Sequence, residues 1–132
     1  RPPRSTLFPY TTLFRSDDNN RRKQIAKMYY EGIINPTIKM PSVLPDEKNV
    51  FHIFPIFTEK RDELQAYLKE NEIGTIIHYP IPPHKQTAYK EWNCLSFPVT
   101  EKIHAQELSL PMSPTLTDEQ VRWVIKCLNE WK

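Results

Sequence analysis

The residues best placed to do chemistry lie together in Gly74-Thr75-Ile76-Ile77-His78-Tyr79-Pro80-Ile81-Pro82-Pro83-His84. A short apolar run ends there at a histidine and a tyrosine, and a proline-stiffened segment carries a second histidine. Imidazole and phenol groups both hydrogen-bond phosphate and sugar oxygens. Polar groups held at a strand end by a rigid loop are a common way to build a binding site. His78 and Tyr79 are therefore the candidate ligand contacts, with His84 as a third. Two readings stand at this point. The pair either meets a ligand or serves as a structural step that closes the domain.

Other chemistries find less support. His52, His78, His84 and His104 include no HxxxH or HExxH pair, and no carboxylate recurs at metal-ligand spacing. His52 reads as a core or sheet-face residue and His104 as a solvated helix residue. Cys94 has no elbow or helix N-terminus to activate it as a nucleophile, and no GxSxG sequence is present. Glycines at positions 32 and 74 alone cannot form a Gly-rich phosphate cradle. Cys94 and Cys127 make no CxxC pair, and Cys127 falls in a helical pattern as a small buried residue. Both are read as the reduced thiols of a cytoplasmic protein.

Composition narrows the partners. The chain of 132 residues is 39% hydrophobic and 26% charged, enough for one domain with a real core. Thirteen prolines against two glycines call for irregular loops of fixed shape. The net charge of +2 does not mark a nucleic-acid binder. Arg1, Arg4 and Arg15 lie in the acid-free first sixteen residues, and the remainder carries 15 basic against 16 acidic residues. That balance leaves no basic face for a phosphate backbone. No apolar run approaches the roughly 20 residues a membrane span needs.

Residues 1–16 read as foreign to the fold and unstructured. Thr6 to Ser16, TLFPYTTLFRS, matches one reading frame of a common sequencing-adapter oligonucleotide. The run is too short and broken for a secretory signal. On this reading the natural chain continues upstream with different residues. A connector helix is expected within 17–34, over residues 19–32. Ile25, Met28 and Tyr29 mark its apolar face, and Asp17, Asp18 or Asn19 its cap. The domain proper is expected over 35–132. Val50–Phe57 reads as a buried strand whose Pro55 requires a sheet edge or bulge. Thr58 is expected to cap a helix bearing Leu64, Tyr67 and Leu68, with Asn71 as its left-handed stop. Gly74 leads into a strand over 75–79. A loop over 80–98 with a helical turn near 86–92 precedes a helix through Leu108 and a strand over 108–110. Thr117-Asp118-Glu119-Gln120 is a capping box. It opens a helix with Val121, Val124, Ile125 and Leu128 on one face and Trp131 folding back at its end.

Taken in order, several of these segments resemble the C-terminal part of the DegT/DnrJ/StrS family. They are Asn20–Ala26, Val50–Ile56, Arg61–Leu64, Ile73–His84, Leu108–Met112 and Leu116–Val121. The likeness runs from 19 to 132, with Ile73–His84 its most diagnostic stretch. Glu72 departs from it where members often have glycine, and Phe57 where many have a basic residue. The resemblance implies an α+β fold: the small C-terminal domain of a fold-type I pyridoxal-phosphate-dependent transferase, with a short, mainly antiparallel sheet and flanking helices. It implies transfer of an amino group from glutamate to a nucleotide-linked keto-sugar, nearest to the enzymes that act at C3 of a dTDP-3-oxo-6-deoxyhexose. It also implies a homodimer, and a Schiff-base lysine and cofactor site in a large domain outside this chain. His78 and Tyr79 would then face the nucleotide-sugar pocket. Lys60, Lys69, Lys102 and Lys126 on polar helix faces, and Lys85 and Lys90 on a loop, offer no replacement lysine, so this chain alone is expected to be inactive. The apolar faces that meet a large domain should lie exposed, at Ile25, Met28 and Tyr29. The competing reading is a free-standing α+β ligand-binding or interaction module without catalysis.

Overall fold

A computed structural model describes residues 15–42 and 49–132. The reading of 1–16 as a foreign, unstructured segment falls outside the described residues through position 14, and its last two residues, Arg15 and Ser16, are helical instead. Helix α1 (Arg15–Gly32) begins four residues earlier than the apolar periodicity marks, which places Asp17 and Asp18 in its first turn. Carboxylates there suit the partial positive charge of a helix N-terminus. Ile25, Ala26, Tyr29 and Ile33 form a buried stripe. The Tyr29 and Tyr30 rings both lie 5.0 Å from Phe54. This corrects one expectation: Ile25 and Tyr29 form no exposed patch, and Met28 is partly buried against the core. The apolar face of α1 is used up within the domain.

The sheet has two antiparallel strands, β1 (Phe54–Phe57) and β2 (Glu107–Leu110), with Phe54 opposite Leu110 and Phe57 opposite Glu107. Single bridges flank it, Lys39 to Phe57 on one side and Ile76 to Ser109 on the other. The Phe57 N–H points outward to the Lys39 carbonyl, at 2.8 Å. Pro55, two residues earlier, has its nitrogen on that same outer edge, where no ladder donor is needed. The strand is shorter than the 50–57 run because Phe51 turns into a left-handed conformation with φ 47°. His52 beside it is exposed rather than on the sheet face or in the core.

Helix α2 (Arg61–Glu70) buries Leu64 and Leu68. Its cap position is Lys60, not Thr58, because residues 59–60 turn before the helix starts, and the Thr58 hydroxyl accepts only a long 3.4 Å contact from the Lys60 N–H. The left-handed stop falls on Glu72, φ 60°, while Asn71 stays at φ −91°. Two 3₁₀ turns, Pro83–Lys85 and Thr87–Trp92, shape the loop that follows. Helix α3 (Pro98–Gln106) gives way to β2 at Glu107. Arg61 donates to the His104 carbonyl in the last turn of α3 at 2.7 Å, a cation at a helix C-terminus.

Helix α4 (Asp118–Glu130) has the capping box in full: the Thr117 side chain accepts from the Gln120 N–H, and the Gln120 side chain from the Thr117 N–H. Val121, Val124, Cys127 and Leu128 are buried, and Trp131 folds back onto the core. Burial pushes the Cys127 thiol up, away from reactivity. Asn35 locks α1 to α4. Its amide donates to the Leu128 and Trp131 carbonyls at 2.8 Å each and its oxygen accepts from Thr37. The result is an α+β unit in which α1 packs against α4 and sets its tyrosines on Phe54 of β1, while α2 contacts β2 and α3 contacts β1.

Candidate functional site

The 75–79 segment reaches the sheet at one residue. Ile76 exchanges both backbone hydrogen bonds with Ser109, at 3.2 and 2.8 Å. In a continuing antiparallel ladder His78 would pair with the Glu107 backbone two residues on. Instead the His78 N–H donates to the Glu107 side chain, Oε2, at 3.1 Å. A carboxylate stands in for the ladder, and the chain peels off β2 there. This is why the expected strand over 75–79 is a single bridge.

The diverging backbone is held from several sides. His78 Nδ1 lies 2.9 Å from Ser109 Oγ, and the Ser109 hydroxyl donates to Glu107 Oε1. His104 Nδ1–H donates to the Tyr79 carbonyl, so His104 is tied to this loop rather than simply solvated. Between these ties Tyr79 adopts φ 55° and remains 74% exposed. A bulky residue in the left-handed region is uncommon and costs on the order of 1–3 kcal/mol, and such strain clusters at binding and switch sites.

A cavity of about 260 Å³ opens beside the bridge, lined by His52, Ile53, Ile76, His78, Ser109 and Met112 among others. It brings His52 and His78, 26 positions apart, to one hollow. Sequence reasoning assigned His52 elsewhere and did not single out Glu107 or Ser109. The signal for the latter two lay in Glu107-Leu108-Ser109-Leu110, where strand alternation puts both polar residues on one face.

His84 occupies a different setting. It is buried, with Nε2 2.8 Å from Glu101 Oε1 and its ring edge-on to Phe97 at 4.9 Å. The same carboxylate oxygen accepts the Phe97 N–H at 3.0 Å. That backbone donor and the His84 ring hold the Glu101 carboxyl below the usual glutamate range. Lys85 ties the loop further by donating to the Asn93 and Leu95 carbonyls. Around this knot Ile81, Trp92, Leu95, Phe97, Val99 and Ile103 are exposed.

The described residues do not fit a pyridoxal phosphate site. None of their lysines is buried, and every buried polar side-chain atom among them already has a hydrogen-bond partner. Among the described residues no cluster of His, Cys, Asp or Glu could hold a metal, and no helix is long and apolar enough to cross a membrane.

An antiparallel strand pair with flanking helices places the chain among α+β domains. The chain belongs to the DegT/DnrJ/EryC1/StrS aminotransferase family, whose profile matches residues 13–129. It is 48% identical over 115 residues to the dTDP-3-amino-3,6-dideoxy-alpha-D-galactopyranose transaminase of Aneurinibacillus thermoaerophilus, covering 87% of this chain and 32% of that relative. Its fold matches the crystal structure of S. venezuelae DesV in complex with ketimine intermediate, with TM-score 0.86 and 36% identity over 91% of this chain and 33% of that one. It also matches NtdA from Bacillus subtilis with bound cofactor PMP, with TM-score 0.75 and 30% identity over 84% of this chain and 27% of that one. The chain thus spans about a third of the length of the relatives it matches.

Proposed function

We propose that this chain is the substrate-contacting portion of a pyridoxal-phosphate-dependent sugar-nucleotide aminotransferase. The whole enzyme would transfer an amino group, with glutamate as donor, to a nucleotide-linked keto-sugar. A 3-oxo-6-deoxyhexose on dTDP is the substrate class that the Aneurinibacillus relative's name supports. His78 and Tyr79 meet the nucleotide-sugar in this reading. The observation that carries it is the tethered, strained and exposed Tyr79 next to a His78 that lines an open hollow. His84 contributes at one remove, by fixing the loop through Glu101.

The cofactor and its lysine belong to a part of the enzyme outside this chain, so the chain by itself binds and does not transaminate. The exposed apolar side chains between Ile81 and Ile103 are where the rest of the enzyme, the second subunit of a homodimer included, packs. A free-standing binding module has no observation in its favour here.

The test replaces the histidine equivalent to His78 with alanine in an intact family member. Loss of one hydrogen bond between neutral groups is worth about 0.5–1.5 kcal/mol, so KM for the sugar nucleotide should rise roughly two- to ten-fold. An unchanged KM ends the claim.

A further inference from the structure

We propose that Glu107 and Ser109 are positioning residues that fix which nitrogen His78 offers to its ligand. The inference rests on the reading of His78 as a substrate contact, and deepens it.

Glu107 is 92% buried in a position where both carboxylate oxygens accept: Oε2 from the His78 backbone N–H, and Oε1 from the Ser109 hydroxyl. An ionised carboxylate only accepts. Ser109 has one proton, and it is committed to Glu107. Its oxygen therefore faces His78 Nδ1 with a lone pair, and Nδ1 must carry a hydrogen to complete the 2.9 Å contact. In a neutral imidazole the other nitrogen then has none. Nε2 has no partner among the described residues, so it is the atom available to a ligand at the hollow that His78 lines. The Nδ1–H form is the opposite of the one an unconstrained histidine side chain favours, so the relay has something to enforce. It also explains why a carboxylate, rather than a backbone carbonyl, meets the His78 N–H: one group sets both the backbone and the ring.

The amide variant gives a sharp consequence. In Glu107→Gln, the side-chain oxygen must face the His78 N–H, because an NH₂ there would oppose another donor. The amide NH₂ then faces Ser109 Oγ. The serine proton is released and turns to Nδ1, and the ring switches to the Nε2–H form. The atom offered at the hollow changes from acceptor to donor.

The experiment is long-range ¹H–¹⁵N NMR of the histidine rings in the full chain, at alkaline pH where the rings are neutral and with no ligand added. His78 is assigned by its loss in His78→Ala. The expected result is His78 predominantly as Nδ1–H, with conversion to mainly Nε2–H in Glu107→Gln and in Ser109→Ala, and restoration of Nδ1–H in Ser109→Thr. His78 predominantly as Nε2–H in the unmodified chain overturns the proposal. So does a folded Glu107→Gln chain whose His78 remains Nδ1–H. Should the variants fail to fold, the unmodified chain alone still decides. Because no substrate is present, the outcome is independent of the KM test on His78.

Discussion

Replacing Asn35 tests whether α1 and α4 form one unit. The Asn35 amide is buried and makes four hydrogen bonds, two as donor to the Leu128 and Trp131 carbonyls and two as acceptor from Thr37. The Thr37 groups are at the surface and can turn to water. The two carbonyls lie on buried residues at the end of α4, where helix carbonyls lack internal partners. In Asn35→Ala each loses its donor, at about 1–3 kcal/mol apiece. A total of about 3 kcal/mol lowers Tm by about 10 °C in a chain of this size. Asn35→Asp should be worse at neutral pH, since a carboxylate opposes two carbonyl oxygens and has no proton to give. Acidification should recover part of that extra loss by restoring one donor. Thermal unfolding followed by circular dichroism gives both numbers. If Asn35→Asp matches or exceeds Asn35→Ala in stability at pH 7, the clamp does not work as argued.

Two further outcomes follow from the backbone and from the loop. Glu72→Gly should raise Tm by about 2–3 °C, because relief of a left-handed L-residue, about 1–2 kcal/mol, outweighs the added glycine entropy of about 0.5–1 kcal/mol; a fall in Tm would contradict it. The Glu101 carboxyl is held low in the folded chain by the Phe97 N–H and His84. A depressed carboxyl contributes stability above its ordinary pKa of 4.5, and that contribution is lost as pH falls through the lower folded value. Amide exchange at Phe97 should therefore speed up on acidification below about pH 4.5 relative to the core. Glu101→Gln should remove that dependence, and its persistence in the variant would assign it to another group.

Local chemistry was legible wherever a few neighbouring residues decide the outcome. The capping box of Thr117 and Gln120, the apolar face of α4 and the helical turn near residues 86–92 have their causes within one or two turns of chain. What escaped has distant causes. The 75–79 run has the composition of a strand, but Glu107 takes the hydrogen bond that would extend it. Ile25 and Tyr29 were expected outward because the resemblance implied a large domain to cover them, whereas Tyr29 meets Phe54 and the Pro111 carbonyl far along the chain. The helix stop fell on Glu72 although asparagine tolerates the left-handed region better, because the Asn71 amide is engaged with the Tyr67 carbonyl. His78 and Tyr79 were recognisable as candidates from residue type and position. The groups that hold them were not, since Ser109 and His104 enter from other elements.

The conformation at Tyr79 bears on the choice between a ligand site and a structural closure. A step that merely closes the domain would bury its aromatic ring or use a residue at ease with positive φ. This one does neither: the tyrosine is strained and its ring is exposed. Contacts from Glu107, Ser109 and His104 over-determine the turn, so the domain spends hydrogen bonds to hold a side chain from which its own core gains nothing. The contrast with His84 sharpens the point. That ring is buried, paired and packed, as a structural residue should be. Two polar aromatic side chains five positions apart thus have opposite environments, and the exposed one is the one proposed to meet the substrate.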